Sequence, residues 1–172
     1  IGENETTGEL WERLSKIGAK LLVETLKQIE EGTAPREKQP EEFSMAPMLN
    51  KEMSKIDWKN QTAIQIKNLV RGLNPIMGAY SYLEEKKIKF WKVETLSNEK
   101  LFEEFPDLLE YEDRFYNLNP GTILFADDKK GLYIKTIDSN IKVLEIQGEN
   151  AKKMPISDFL RGNKLYAATV FE

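Results

Sequence analysis

Apolar residues in the first part of the chain recur at three and four residue steps. Leu10, Leu14, Ile17 and Leu21 form one row, with Trp11, Gly18, Leu22, Leu26 and Ile29 beside it. That spacing lays a broad apolar stripe along a helix. Thr6 and Glu9 have the separation of a capping box, and Gly32 offers a stop, so the predicted helix runs from about residue 8 to 31. Burying one Leu or Ile is worth ~1.5–3 kcal/mol, and no earlier segment could cover the stripe. It calls for a partner. Residues 33–56 hold Pro35, Pro40 and Pro47 among alternating charges and follow neither period, which predicts an extended linker. A second helix is expected over 61–71, with Asn60 as N-cap and Ala63, Ile66, Leu69, Val70 and Leu73 inward. Gly72 would stop it in a positive-φ conformation, and Pro75 would prevent its continuation.

Beyond Gly78 the period changes towards two. Residues 80–83 and 88–93 flank Glu84-Glu85-Lys86-Lys87, a hairpin pattern in which the adjacent Phe90 and Trp91 predict a bulge. Three more strands are expected at 121–126, 132–137 and 141–146, then a short helix at 154–161 stopped by Gly162, and an edge strand over 166–170. Five short strands with short turns and a late helix suggest an α+β domain built on a small closed or partly closed OB-like barrel with flanking helices. The expected organisation is a helical segment at 1–32, a linker at 33–56 and the barrel at 57–172, with an acidic insertion at 99–113.

The chain has no histidine and no cysteine, which excludes a Ser-His-Asp triad, a thiol nucleophile, an imidazole base and the usual zinc ligand sets. No signal peptide or apolar run of membrane-spanning length occurs, so a cytoplasmic protein is expected. Ile1 opens almost directly into a helix start, as in a fragment of a longer chain.

Charge changes the picture further. Residues 57–172 carry 17 basic and 18 acidic side chains, but 16 and 11 once residues 99–113 are set aside, because that segment holds seven acidic residues and only Lys100 as a base. The barrel is therefore basic and the acidity local. Lys86, Lys87, Lys89 and Lys92 lie on one hairpin, Lys129 and Lys130 on a turn, Lys152 and Lys153 before the last helix, and Arg71 and Arg161 at helix ends. Several cations on one surface suit a phosphate backbone; lysines that merely keep strand edges soluble are the alternative. Trp58, Trp91 and Tyr80 could stack on bases, but their apolar neighbours favour packing in the core.

The strings "MAPMLNKEMSKIDW", "LVRGLNPIMGAY", "KIKFWKVE", "PGTIL" and "VLEIQGENAKKMPISDFLRG", in that order after "TTGELWERLSKIGAKLLVETLKQIEEGT", resemble the methionyl-tRNA formyltransferase family in its C-terminal part. The resemblance implies an enzyme that moves a formyl group from 10-formyltetrahydrofolate, its co-substrate, to methionyl initiator tRNA, its partner. It makes the first helix the last one of a Rossmann-like catalytic domain whose Asn-His-Asp set and folate pocket lie upstream. No catalytic, folate or metal role then falls on this chain, and the fragment alone should be inactive. The resemblance matches Lys51 and Lys55 to a basic linker, Arg71 to the R-G-L-N-P string and Lys152-Lys153 to the paired lysines before the final helix. With Lys86, Lys87 and Arg161 from the charge pattern, these are the expected tRNA contacts. Ile76-Met77 stands where the family usually has Trp-Pro, and the acidic insertion is outside its pattern. Two alternatives remain: the same domain from a formyltransferase acting on nucleotide-linked amino sugars, and a non-catalytic barrel that binds a protein. The uncovered helix stripe also predicts self-association of the fragment.

Overall fold

A computed structural model describes residues 1–172, except that the side chains of residues 111–113 lie outside the described set. The side chains of Glu112 and Asp113, counted above in the acidic run, are among these.

The first helix, α1, spans Thr7–Glu30 and starts with the expected box: Thr6 Oγ1 accepts from the Glu9 N–H while the Glu9 carboxylate accepts from the Thr6 N–H. Gly32 follows with φ 71°. None of α1 is buried, and Trp11, Leu14, Ile17, Leu21, Leu22, Leu26 and Ile29 are each 50–65 % exposed. Residues 33–50 carry neither helix nor strand, then a 3-10 turn at Glu52–Ser54 leads into Lys55, which bridges Tyr80 in parallel. The linker thus ends docked on the sheet, with Ser54 and Ile56 buried.

Helix α2 is Ala63–Gly72. Its cap is Thr62, paired with Gln65 in a second capping box, and not Asn60. Gly72 is its last helical residue. The positive φ falls at Gly78 (69°), where a Cβ would lie 2.9 Å from the Trp91 ring. An open path of antiparallel strands follows: β1 (Ala79–Leu83), β2 (Lys86–Leu96), β5 (Asn140–Gln147), β4 (Gly131–Lys135) and β3 (Ile123–Asp127). The short β6 (Met154–Pro155) pairs β5 and leads into α5 (Ile156–Gly162), so Gly162 ends this helix from inside. The bulge expected at Phe90-Trp91 is present as register shifts between Phe90, Lys92 and Val93.

The sheet is not closed by its own edge strands, contrary to the closed form of the barrel expectation. Residues 168–172 lie between those edges instead of forming a full strand. Ile123 exchanges bonds with Ala168 and Thr169, Phe171 N–H donates to the Gly121 carbonyl, and Glu172 and Tyr82 exchange two bonds of 2.9 and 3.1 Å. Phe171, Trp58 and Phe90 pack with one another at ring separations of 5.4–6.0 Å, and the Trp58 indole N–H donates to Ser81 Oγ. This aromatic cluster joins the linker's end, two strands and the C-terminal segment around one core.

The acidic run folds as short helices. Its helices α3 (Asn98–Glu104) and α4 (Glu112–Tyr116), with a 3-10 stretch at Pro106–Tyr111 between them, form a cap. Leu101, Phe102, Phe105 and Phe115 turn inward onto Leu124 and Tyr133 as a second core cluster. Charge had masked an apolar pattern.

Candidate nucleic-acid interface

Alternation along β1 buries Ala79, Ser81 and Leu83 and turns Tyr80 and Tyr82 outward. The hairpin register sets Lys89 opposite Tyr80 and Lys87 opposite Tyr82, so two lysines and two tyrosines share one face. Tyr80, expected in the core, belongs to this face. The rings meet edge to face at 5.7 Å, and Lys87 Nζ stands 3.6 Å from the Tyr80 centroid. The linker adds two cations: Lys55 Nζ lies 5.7 Å from the Tyr82 ring, and Lys51 lines a shallow pocket with Ser54, Met77, Tyr80, Lys87 and Lys89.

The face extends across the bulge. Lys89 and Lys153 both approach Trp91, at 5.7 and 5.6 Å, giving a stripe that runs from Lys51 and Lys55 through the tyrosines to Lys153. Trp91 is otherwise a packed residue, its N–H donating to Gln147 Oε1 at 2.9 Å.

The stripe is short of negative charge. Among the described residues Lys51, Lys55, Lys86, Lys87 and Lys89 form no salt bridge; Lys89 Nζ donates only to the Met77 carbonyl, at 2.9 Å, and Lys153 pairs with Glu145 at 2.6 Å. Partial burial, then the nearby Lys89 and Lys51, push the Lys87 ammonium below the ordinary lysine range. Cations crowded this way gain from any anion that enters.

The expected contact residues separate accordingly. Lys51, Lys55 and Lys87 come together, with Lys153 at the far end and exposed Lys152 next to it in sequence, whereas Lys86 is exposed at the hairpin tip opposite Leu83 and is not brought to the other three. Lys89, present in the hairpin pattern but not singled out as a contact, is central, and the strand register alone reveals that. Arg161 is engaged with Asp158 beside a cleft that also holds Asp127, Asp128 and Lys164. The guanidinium of Arg71 is directed to main-chain carbonyls of the N-terminal segment. Among the described residues no group of acidic side chains is arranged to hold a metal ion.

A basic stripe on a sheet with a docked linker can be compared with known proteins. A family model described as the formyl transferase C-terminal domain matches residues 48–164, well over half of the chain. The chain belongs to this family. The matched residues include the linker end, the sheet and α5. Among curated relatives, methionyl-tRNA formyltransferases from Clostridioides difficile and Caldanaerobacter subterraneus are 39 % and 35 % identical over 99 % and 100 % of this chain. The chain spans about half the length of each of these relatives (50 %). Among solved structures, a HypX variant from Aquifex aeolicus shares the fold with a TM-score of 0.60 at 16 % identity, over 93 % of this chain and 26 % of that one. HypX from the same organism in complex with tetrahydrofolic acid aligns with a TM-score of 0.54 at 18 % identity, over 82 % and 22 %. The family match and the relatives uphold the resemblance read from the sequence strings.

Proposed function

We propose that this chain is the tRNA-binding part of an enzyme that transfers a formyl group from 10-formyltetrahydrofolate to methionyl initiator tRNA. The observation that carries this is the convergence of Lys51, Lys87 and Lys89 with no carboxylate paired to any of them among the described residues. The names of the curated relatives supply the substrate. Lys55, Lys86, Lys152 and Lys153 extend the phosphate path, Tyr82 offers an aromatic surface between cations, and neither Arg71 nor Arg161 belongs to the set. On this reading residues 1–32 close a Rossmann-like catalytic domain, 33–56 link it to the sheet, and 57–172 form an OB-like domain whose edges are joined through the C-terminal segment.

On this reading the folate belongs to the catalytic domain and not to this chain. The cleft between the N-terminal segment and β2 is lined by the charged Glu9, Lys67, Arg71, Lys92, Glu94, Glu145 and Lys153 together with Val70, Trp91 and Val93. No step of formyl transfer is assigned to these residues, and the chain by itself is expected to be inactive.

A salt titration of tRNA binding tests the proposal. Four to five neutralised phosphates should give a log–log slope of about −3 to −4; absence of binding at low salt opposes it, and tight binding without a salt slope would favour a different ligand. The exposed stripe of α1 further predicts that the chain alone self-associates, and sedimentation velocity showing only monomer across concentrations would argue against this.

A further inference from the structure

The string Arg71-Gly72-Leu73-Asn74-Pro75 lies outside the lysine stripe, yet nearly every polar group in it is used. Arg71 Nη1 donates to the carbonyls of Gly2 and Glu5, both at 3.1 Å, while Nε donates to Asn68 Oδ1. Thr7 Oγ1 donates to the Gly72 carbonyl at 2.6 Å, and the Gly8 N–H donates to the Asn74 carbonyl at 3.1 Å. Pro75 sits so close that a Cβ on Gly8 would lie 2.7 Å from its Cδ. The N-terminal turn is braced in its own right by Glu5, whose carboxylate accepts from Arg13 and from the Gly2 N–H and is held down at about 2 by these bonds, that of Arg13 first.

Apart from the Arg71–Asn68 bond within α2, the contacts of residues 71–75 given above reach the N-terminal segment and the first turn of α1. No residue of α1 is buried, so its direction relative to the sheet rests on this joint. The joint also reaches the stripe: Asn74 Nδ2 donates to the Trp91 carbonyl at 2.9 Å, and the indole of Trp91 is the ring that Lys89 and Lys153 approach.

We propose that residues 71–75 form a socket that fixes the direction of α1, with Arg71 and Asn74 as positioning residues that hold the RNA-binding stripe at a set angle to whatever packs on the apolar face of α1. The consequence for catalysis rests on the tRNA reading above, because only then must an RNA held on the stripe reach a reacting centre carried by the polypeptide beyond α1.

The chain lacks cysteine, so Lys20→Cys on α1 and Lys129→Cys on the β3–β4 turn allow paired spin labels, diluted in unlabelled chain. One narrow distance distribution is expected in the parent and a distribution at least twice as broad in Arg71→Ala. Gly8→Ala, which improves helix propensity while pushing against Pro75, should broaden it too. In the complete enzyme, kcat/KM for formyl transfer to tRNA should fall about 10- to 100-fold in both variants, since small displacements of a bound substrate have effects of that order. The affinity of the 172-residue chain for tRNA should stay within about twofold, as expected of a group that positions without touching phosphate. Unchanged distance distributions overturn the socket. A smaller salt slope for Arg71→Ala overturns it as well, by making Arg71 a phosphate contact. Broadened distances with full transfer overturn the catalytic consequence. A parent enzyme inactive on tRNA overturns the tRNA reading instead, and the distance measurement still decides the socket.

Discussion

The outer face of the β1–β2 hairpin and the capped face of β3–β5 use the same materials in opposite ways. Both set lysines against aromatic rings. Under the cap, Lys130 lies 4.9 Å from Phe105, Lys135 4.3 Å from Phe115 and Lys142 5.0 Å from Tyr133. Glu104 closes that assembly by accepting from the Tyr133 hydroxyl and pairing with Lys142 at 3.4 Å. Burial, then the hydrogen bond to Glu104, raises the Tyr133 hydroxyl above its ordinary range, as fits a phenol held neutral in the packed interface. On the hairpin face no such lid exists among the described residues, and the ammonium groups repel one another. The difference teaches that the basic excess of the sheet is not spread evenly. The acidic cap occupies the cations of one face and leaves those of the other available to a polyanion.

The comparison breaks most visibly through the cap. Phe105→Ala should cost ~3–5 kcal/mol in denaturant unfolding, because a buried ring in contact with Phe125 and Tyr133 leaves a cavity. It should leave tRNA affinity unchanged; loss of affinity instead would show that the two faces are coupled. On the open face, Lys87→Ala with Lys89→Ala should reduce the magnitude of the salt slope by about 2 and weaken binding, while stability moves by less than ~0.5 kcal/mol. A stability loss comparable to that of Phe105→Ala would mean that the stripe is part of the core.

A smaller effect sharpens the same contrast. The two-residue turn of the open hairpin places Glu84 and Glu85 at φ 49° and 67°, a left-handed pair that glycine and asparagine adopt more readily. Replacing them by Asn-Gly should stabilise the domain by about 1 kcal/mol, measured as a shift of the denaturant midpoint. No gain would indicate that these glutamates make contacts that offset their backbone strain.

Much of this architecture was legible beforehand because it depends on near neighbours. The Thr6–Glu9 box and the bulge at Trp91 are local arrangements, and each appears where the spacing placed it; the hairpin turn, expected over residues 84–87, tightens to Glu84-Glu85 because Lys86 and Lys87 pair with β1. The Thr62–Gln65 box carries the same signal and takes the cap from Asn60 because Gln65 reaches back to the Thr62 N–H, and Leu101, Phe102 and Phe105 have helical spacing hidden among glutamates. Lys51, Lys55 and Lys87 were singled out as phosphate contacts, but their meeting with Lys89 depends on hairpin register and on linker docking. Gly72 was read as the positive-φ stop because it follows a helix, yet the conformation belongs to Gly78, where Trp91 folds over the backbone from another strand.

Local pattern alone establishes α1, α2, the β1–β2 hairpin, the three later strands and α5, the absence of imidazole and thiol side chains, and the resemblance of ordered strings to a formyltransferase C-terminal part. Periodicity, composition and motif order require no knowledge of distant contacts. Which cations remain unpaired among the described residues, the bracing of the start of α1 by Arg71 and Asn74, and the packing of an acidic segment as a cap come from tertiary contacts. Those outcomes depend on residues dozens of positions apart, whose juxtaposition is set by strand pairing and burial and is invisible to any local pattern.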